Sequence, residues 1–256
     1  IYKIFHTIKL ADKLKKDYPE NEFVPVFFMG SEDADIEELC HFYLRHEKIE
    51  WNPGQAGAVG RMKNKGLDKI IERIEQQLAV EPHGAKLLEI LKNSFLPQED
   101  IQTGTFRFIN SLFAEYGLII FIPDNVIFKK HMVNIFEDDL LHHTASGIVN
   151  NTIEELKKQY QVQANPREIN LFYLLNDKRE RIEKSGEYWY VLNTGIKFSK
   201  EELLKELKEH PENFSPNVIL RGLMQEALLP DVAFIGGGGE LAYWLELKGV
   251  FDNYNI

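Results

Sequence analysis

The chain has 256 residues, of which 44 % are hydrophobic and 27 % are charged, the balance of an ordinary soluble globular protein. Forty acidic against thirty basic residues give a net charge of −10, which argues against non-specific nucleic-acid binding because a phosphate backbone carries the same sign. No apolar run approaches the roughly 20 residues that span a bilayer, so no membrane segment is predicted. The single cysteine, Cys40, has no internal disulfide partner, which is typical of a protein of the reducing cytoplasm.

Both ends of the chain are unusual. The sequence has no initiator Met, and Ile1, Ile4, Phe5 and Ile8 already follow helical spacing with no cap before them. The other end, Ile256, lies in or just past another helical pattern. We therefore expect a segment of a longer protein, with a core over residues 1–256 that is incomplete at both ends.

The first half alternates helical patterns with two apolar strands. The predicted elements are a helix over 1–17, a strand over 23–29, a helix over 31–46, a basic glycine-rich loop over 50–66, helices over 67–78 and near 86–94, and a further helix before a strand over 118–122. Since both strands are apolar on both faces, they are typical of buried parallel strands. The order predicts an α/β fold with a mostly parallel sheet.

The pattern changes between residues 140 and 211. Capping-box sequences at Thr152 and at Ser199 predict the starts of two helices. Between them, "INLFYLL" and "EYWYVLN" flank "NDKRERIEKSG", which predicts a small antiparallel hairpin. We expect a small α+β insertion over 140–211, followed by a helix, a strand over 232–235, four glycines and a last helix.

An acidic turn follows the first apolar strand. In open parallel sheets, ligands bind beyond the carboxyl ends of the strands, where this turn would lie. We expect Ser31 to cap the next helix, with Glu32, Asp33 and Asp35 in its first turn. Those carboxylates could merely complement the helix dipole, or they could bind a substrate ammonium and act as general base.

A run of glycines lies between the last predicted strand and the last helix. Consecutive glycines let backbone N–H groups face a ligand, and a helix N-terminus adds positive potential, so an anion or cofactor site is predicted here. The dinucleotide-binding pattern is not met, because Leu241 occupies the third glycine position, and no P-loop lysine follows. The residues of this glycine segment are Gly236, Gly237, Gly238, Gly239 and Glu240.

Two further groups carry polar side chains at suggestive spacing. Asn217, Arg221 and Gln225 repeat every four residues on one helix face, which is either a solvated face or an Arg-based clamp for a carboxylate or phosphate. Arg179 and Arg181 are typical of a solvated strand edge, with a basic lip over a negative substrate as the alternative. The histidines lack metal-ligand spacing and no C-x-x-C occurs, so no metal site is predicted.

Several of these stretches together resemble one family. "FVPVFFMGSEDADIEEL", "LFAEYGLIIFIPD", "INLFYL", "RERI", "FSPNVILRGLMQEALLP" and "AFIGGGGELAYWLELKGVF" occur in the order seen in the bacillithiol-biosynthesis cysteine-adding enzymes, across essentially the whole chain. The resemblance implies a Rossmann-like core with connecting-peptide insertions and a C-terminal coiled-coil domain that this chain lacks. Two departures stand out, Ala34 where the family usually has His and Gly222 where Pro is usual.

The resemblance also implies an activity. It implies a ligase that joins L-cysteine to glucosaminyl-malate by an amide bond in the last step of bacillithiol biosynthesis, with ATP or another nucleotide activating the carboxyl group. The matching site candidates are Glu32, Asp33, Asp35, Asn217, Arg221, Gln225 and Glu240. A related nucleotide-dependent ligase or nucleotidyltransferase, and a non-catalytic scaffold, remain as alternatives. The exposed aromatics and "LFAEYGLIIF" permit a homodimer.

Overall fold

In the computed structural model, which describes residues 1–256, the chain forms two compact units. The first unit contains residues 1–123 and 176–178, and the second contains residues 124–175 and 179–256. None of the helices combines the length and the apolar character that a bilayer crossing requires.

The first unit joins a pair of parallel strands to a helical layer and a hairpin. Strands β1 and β4 are parallel, with Val26 opposite Ile119, and strands β2 and β3 are antiparallel. Two 3₁₀ turns lie over Val59–Arg61 and Ala114–Tyr116. The elements are α1 (Tyr2–Asp17), β1 (Val26–Phe28), α2 (Ile36–Leu39), β2 (His41–Leu44), β3 (Glu47–Glu50), α3 (Leu67–Leu78), α4 (Gly84–Phe95), α5 (Ile101–Phe113) and β4 (Ile119–Phe121).

Two apolar clusters stabilise this unit. In the first, Ile4 and Ile8 of α1 pack with Ile109 and Phe113 of α5 beside the parallel strands. In the second, Ile49 of β3 packs with residues of α3 and α4. Helices α1 and α5 therefore cover the face that carries Phe27 and Ile120, whereas Ile119 is 52 % exposed, so the predicted burial of both faces holds only in part.

The helix predicted over 31–46 is wrong. Only Ile36–Leu39 is helical, and the following residues form the β2–β3 hairpin around a turn at Arg45, whose φ of 54° is left-handed. The hairpin holds Ile49 fully buried against Ile74 and Leu88. Packing against distant helices thus overrides the local helical pattern.

Cys40 connects α2 to this hairpin. It is only 8 % exposed, so it is a small core residue. Burial, followed by the negative charge of Glu50, raises the pKa of the Cys40 thiol above its ordinary value. The thiol is therefore neutral and unreactive at neutral pH in the folded chain.

The second unit is a five-stranded sheet packed with helices. Its strand order is β8-β7-β6-β5-β9, and the pairs β5/β9, β6/β7 and β7/β8 are antiparallel. A 3₁₀ turn lies over Pro211–Asn213. The elements are α6 (Val126–His131), α7 (Val133–Leu141), α8 (Thr144–Leu156), β5 (Leu171–Leu175), β6 (Lys178–Ser185), β7 (Tyr188–Val191), β8 (Lys197–Phe198), α9 (Lys200–Glu209), β9 (Phe214–Pro216), α10 (Val218–Leu228) and α11 (Gly238–Tyr254).

Three local predictions in this unit need correction. The segment expected to link a hairpin is itself strand β6, because tight turns on either side of it reverse the chain. No strand forms over 232–235, where the chain is irregular. Thr152 lies inside α8, where its hydroxyl donates to the Ile148 carbonyl at 3.3 Å, whereas Ser199 caps α9 as predicted.

One apolar core unites the second unit. It includes Phe136 and Leu140 of α7, Leu203 of α9, Leu223 of α10 and Leu247 of α11. The predicted α/β class is confirmed, but parallel pairing is limited to β1 and β4, and the larger sheet is antiparallel in the pairs named above. The predicted insertion over 140–211 stays a prediction, and its elements share this core with α10 and α11.

Candidate functional site

The acidic turn, residues 30–35, lies at the carboxyl end of the parallel strands. The Met29 amide donates to the Phe121 carbonyl at 2.9 Å, which is the last bond of the β1–β4 pairing. The Asp33 amide then donates to the Gly30 carbonyl at 3.1 Å and closes a tight turn. The turn therefore lies where an open parallel sheet offers a ligand site.

Ser31 and Glu32 are buried within this turn. Each is only 3 % exposed, and the Ser31 hydroxyl has no hydrogen-bond partner within the chain. The Gly60 amide donates to the Ser31 carbonyl at 2.8 Å, and a Cβ at Gly60 would lie 2.6 Å from that oxygen. Glycine is thus required at position 60 so that its loop can approach the turn.

The predicted helix cap is wrong in its position. Asp35, not Ser31, caps α2, since its carboxylate accepts from the Glu38 amide at 3.2 Å. Glu32 and Asp33 therefore precede the helix, and its first turn already holds Glu37 and Glu38. The helix dipole accounts for Asp35 but does not account for Glu32 and Asp33.

The side chain of Asp33 folds back over the first residue of the turn. Its Oδ2 lies 3.8 Å from the position that a Cβ at Gly30 would occupy, and the residue is partly exposed. Its backbone carbonyl accepts from the Val59 amide at 2.8 Å. Asp33 therefore combines a fixed backbone with a carboxylate that solvent can reach.

In the second unit, Asn217 begins α10. Its Oδ1 accepts from the Ile219 amide at 2.8 Å and from the Leu220 amide at 3.4 Å, and its Nδ2 donates to Asn170 Oδ1 at 2.9 Å. The side chain is therefore an N-cap with a fixed orientation. Asn217 was predicted as a site residue, and its capping role is a finding of the structure.

The other two residues of the predicted polar face differ in environment. Gln225 is only 9 % exposed, and its Nε2 donates to Asp231 Oδ2 at 2.8 Å. Gln225 thus braces the chain that leads to the glycine segment. Arg221 lies between the two and is partly buried.

Glu226 was not found by sequence reasoning. Burial, followed by the charge of Asp231, raises the pKa of its carboxyl to about 7. The two carboxyls lie on either side of the end of α10, which sequence spacing alone does not place together. A carboxyl with that pKa can hold or release a proton near neutral pH.

The glycine segment combines packing with helix capping. Gly236 has no room for a side chain, since its Cβ would lie 2.7 Å from the Phe234 ring, which stacks on Trp244 at 3.9 Å. Gly237 caps α11, and its amide donates to Glu240 Oε2 at 2.6 Å. Glu240 therefore occupies part of the predicted anion site with its own carboxylate.

The amides of Gly238 and Gly239 belong to the first turn of α11. A helix leaves its first amides without intrahelical acceptors, so these two are suited to an anionic group. Helix α10 packs closely on the middle of α11, because a Cβ at Gly222 would lie 2.9 Å from Leu247 Cδ1. The close approach of the two helices thus explains why position 222 is a glycine.

A buried polar chain behind Asn217 was also missed. Asp139 is fully buried and accepts from the Asn170 amide at 2.6 Å and from Asn170 Nδ2 at 3.0 Å. Burial raises the pKa of the Asp139 carboxyl to about 7, although both of these bonds oppose the shift. The three residues are far apart in sequence, so no local signal predicts the chain.

The predicted site residues fall into the two units. Ser31, Glu32, Asp33 and Asp35 belong to the first unit, whereas Asn217, Arg221, Gln225 and the glycine segment belong to the second. The convergence of the acidic turn with the glycine segment stays a prediction. Asn217 additionally lines a cavity of about 420 Å³ within the second unit.

The family of the chain follows from comparison with known proteins. The family model described as "Bacillithiol biosynthesis BshC, N-terminal Rossmann-like domain" matches residues 1–256. The chain belongs to the BshC family. This match confirms the resemblance and the Rossmann-like fold class predicted from the sequence.

Curated relatives agree with the family model. The chain is 43 % identical over 256 residues to a protein of Flavobacterium johnsoniae and 41 % identical over 256 residues to one of Cytophaga hutchinsonii, covering all of this chain and 48 % and 47 % of those proteins. It is 31 % identical over 281 residues to a protein of Bacillus pumilus, covering all of this chain and 50 % of that protein. All three are named "Putative cysteine ligase BshC". The chain thus spans about half the length of these relatives.

Proposed function

We propose that the full-length protein is a ligase that joins the carboxyl group of L-cysteine to the amine of glucosaminyl-malate, in the last step of bacillithiol biosynthesis. Membership of the BshC family and the names of the relatives support this proposal. The observation that carries it is the position of Glu32 and Asp33 at the carboxyl end of the parallel strands, ahead of a helix that does not need their charge.

The acidic turn would serve cysteine. A carboxylate attracts the ammonium group of an amino acid, and Asp33 is partly exposed while the Ser31 hydroxyl beside it is buried without a partner. Asp33 would orient the ammonium or take the proton that the attacking amine loses. Asp35 contributes to this turn as the cap of α2.

Amide formation from a free carboxylate also needs activation. A bound nucleotide such as ATP would supply that activation. The amides of Gly238 and Gly239 fit a phosphate group, and Arg221 on α10 offers a cation for the same group. Since Glu240 accepts from the Gly237 amide, an incoming phosphate would bind the later amides of the segment.

The test is substitution in the acidic turn of the full-length protein. Asp33→Asn keeps the size of the side chain and removes its charge, and we expect cysteine incorporation to fall by about 10² or more if Asp33 acts as base or ammonium ligand. Glu37→Gln is the control, because Glu37 is an exposed carboxylate of the adjacent helix. Product formation from L-cysteine, glucosaminyl-malate and ATP is measured by mass spectrometry.

Four outcomes separate the candidates. A fall in Asp33→Asn alone supports the assignment, and equal rates in both variants remove Asp33 from the mechanism. Thermal shift with each substrate tests the activity itself. Stabilisation by ATP but not by cysteine would favour another nucleotide-dependent transferase, and no stabilisation by any of the three would favour a scaffold.

A further inference from the structure

The second unit contains a cavity where β5 begins, next to β6 and to the first residue of α10. Its volume is about 420 Å³, within the range of small-molecule sites. The lining residues that matter for recognition are Asn165, Arg167, Phe172, Arg181 and Asn217. Arg181 was predicted from sequence as a solvated strand-edge residue, with a basic lip as the alternative. It is exposed as predicted, but it lies on the central strand β6 rather than on an edge strand, and it lines this cavity.

The charge of the lining favours an anion. Arg167 and Arg181 contribute two cations to the lining and Glu168 and Glu183 two carboxylates, whereas the Lys184 ammonium lies 4.9 Å from the centre of the Trp189 ring. Glu168 has a partner of its own, since its Oε1 lies 3.3 Å from His143 Nε2. In a chain whose net charge is −10, two arginines at one cavity, with one of the two nearby carboxylates beside His143, are a local feature that the overall composition does not explain.

Asn217 provides a fixed hydrogen-bond donor at the cavity wall. Its Nδ2 carries two hydrogens, of which one goes to Asn170 Oδ1 at 2.9 Å. Asn170 is in turn held by the buried Asp139. The second hydrogen of Asn217 can therefore donate to a ligand without any rearrangement of this chain, and α10 adds the positive end of its dipole at the same place.

Phe172 gives the cavity an apolar wall. The Arg179 guanidinium lies 3.9 Å from the centre of the Phe172 ring. The same guanidinium donates to Ser215 Oγ at 3.0 Å and to the Pro216 carbonyl at 2.9 Å, directly before Asn217. The aromatic wall and the amide donor are thus held in one rigid frame, which favours a ligand with both an anionic and an apolar part.

We propose that this cavity binds a small organic anion through its carboxylate or phosphate group, with Arg167 and Arg181 as charged contacts and Asn217 as the oriented donor. The proposal does not depend on ligase activity, because its readout is binding. A charge-assisted bond from a guanidinium to such a group contributes enough that removal of one arginine should weaken binding by about tenfold or more.

The experiment is calorimetric titration of the full-length protein with malate in one arm and inorganic pyrophosphate in the other. We expect one of the two to bind, and Arg167→Gln and Arg181→Gln each to weaken that binding about tenfold. Arg107→Gln is the matched control, because Arg107 is an exposed arginine on α5 of the first unit. Glu183→Gln should strengthen binding, since it removes a negative charge from the cavity.

Hydrogen exchange locates the bound anion. Protection of residues 165–170 on addition of the binding probe supports the proposal, and the arm that binds identifies the carboxylate or the phosphate as the recognised group. Arg181→Lys keeps the charge and loses the planar fork, so its affinity for the probe should lie between those of the wild type and Arg181→Gln. It replaces Arg181→Gln as the test if that variant is too unstable to measure. The proposal is overturned if neither probe binds at millimolar concentration, if Arg107→Gln weakens binding as much as Arg181→Gln, or if segment 165–170 is not protected.

Discussion

At the scale of single residues, Asp139 is a carboxylate whose burial makes the stability of the fold depend on pH. It is fully buried, and burial raises the pKa of its carboxyl to about 7, against about 3.9 in an unfolded chain. A raised pKa means that the unfolded chain gives up this proton more readily than the folded one. The stability that the group provides is therefore fully present below about pH 4 and is lost as the pH rises through about 7.

This sign gives a prediction for Asp139→Asn. The free energy of unfolding of the wild type should fall between pH 5 and pH 8, by a share from Asp139 on the order of 2 kcal/mol, and the variant should lack that share. Urea unfolding at both pH values measures the difference. Asp12→Asn, at an exposed position of α1, should keep the full pH dependence.

Glu226 limits what this variant can show. The pKa of its carboxyl is also about 7, so Asp139→Asn should keep the part of the pH dependence that Glu226 contributes. An Asp139→Asn protein whose stability changes with pH as steeply as the wild type would show that Asp139 does not titrate in this range. Neither raised pKa can be predicted from local sequence, since both pKa shifts depend on burial.

At the scale of helices and strands, local sequence patterns predicted those elements that depend mainly on local contacts. Helix α3 has the predicted bounds, and Ile71 and Ile74 on its apolar face are buried. The β2–β3 hairpin was missed because Ile49 is held by residues of α3 and α4. Such distant contacts produce no periodic hydrophobic pattern within the strand itself.

The two capping-box sequences give a prediction at this scale. Ser199 accepts from the Glu202 amide at 3.3 Å, and its own amide donates to Glu202 Oε2 at 2.8 Å, so Ser199→Ala should lower the free energy of unfolding by about 1 kcal/mol. Thr152 lies inside α8 and caps nothing, so Thr152→Ala should change stability little or raise it slightly.

Denaturant titration of both variants, with comparison of their m-values, measures the two changes in the free energy of unfolding. Equal losses in Ser199→Ala and Thr152→Ala would contradict the difference in position. The capping-box pattern was correct at one site and wrong at the other, because the helix that contains Thr152 already begins at Thr144. A pattern of four residues cannot tell a helix start from a helix interior.

The capping role of Glu240 yields a prediction with an unusual direction. Gln can still accept from the Gly237 amide, so Glu240→Gln should leave α11 intact while removing a negative charge from its N-terminus. If ATP binds at the glycine segment as proposed, the variant should bind it more tightly, by roughly threefold to tenfold. Calorimetric titration of the full-length protein with ATP measures this.

The opposite result would also be informative. Weaker ATP binding, or loss of cysteine incorporation at unchanged stability, would show that the Glu240 carboxylate contacts the substrate directly. The sequence predicted Glu240 as a site residue and could not distinguish these roles. The bond from the Gly237 amide to Glu240, within one helical turn, makes the distinction testable.

At the scale of the whole molecule, the sequence predicted where polar residues follow apolar segments, but not how they are held. The acidic turn lies at the end of a strand as expected, because strand ends are marked by composition. The supporting contacts, Asp139 with Asn170 and Asn170 with Asn217, join residues that only the folded chain brings together. Two separate units, each with its own apolar core, were likewise not predicted.

The homodimer and the cytoplasmic location stay predictions for the full-length protein. Light scattering would measure the oligomeric state directly. The net charge of −10 bears on a simpler property, since like charges at neutral pH keep copies of the chain apart in dilute salt. A dimer would therefore need an apolar contact large enough to offset that repulsion, and its stability should rise with ionic strength.

The burial of Cys40 makes it a built-in probe of local opening. Within these 256 residues it is the only sulfhydryl, and it lies where α2 gives way to the hairpin. A thiol-reactive dye can label it only in molecules whose hairpin has locally unfolded. The labelling rate therefore reports the frequency of that local unfolding without any engineered tag. If bound substrates reduce the motion of the neighbouring acidic turn, the labelling rate of Cys40 should fall in proportion to substrate occupancy.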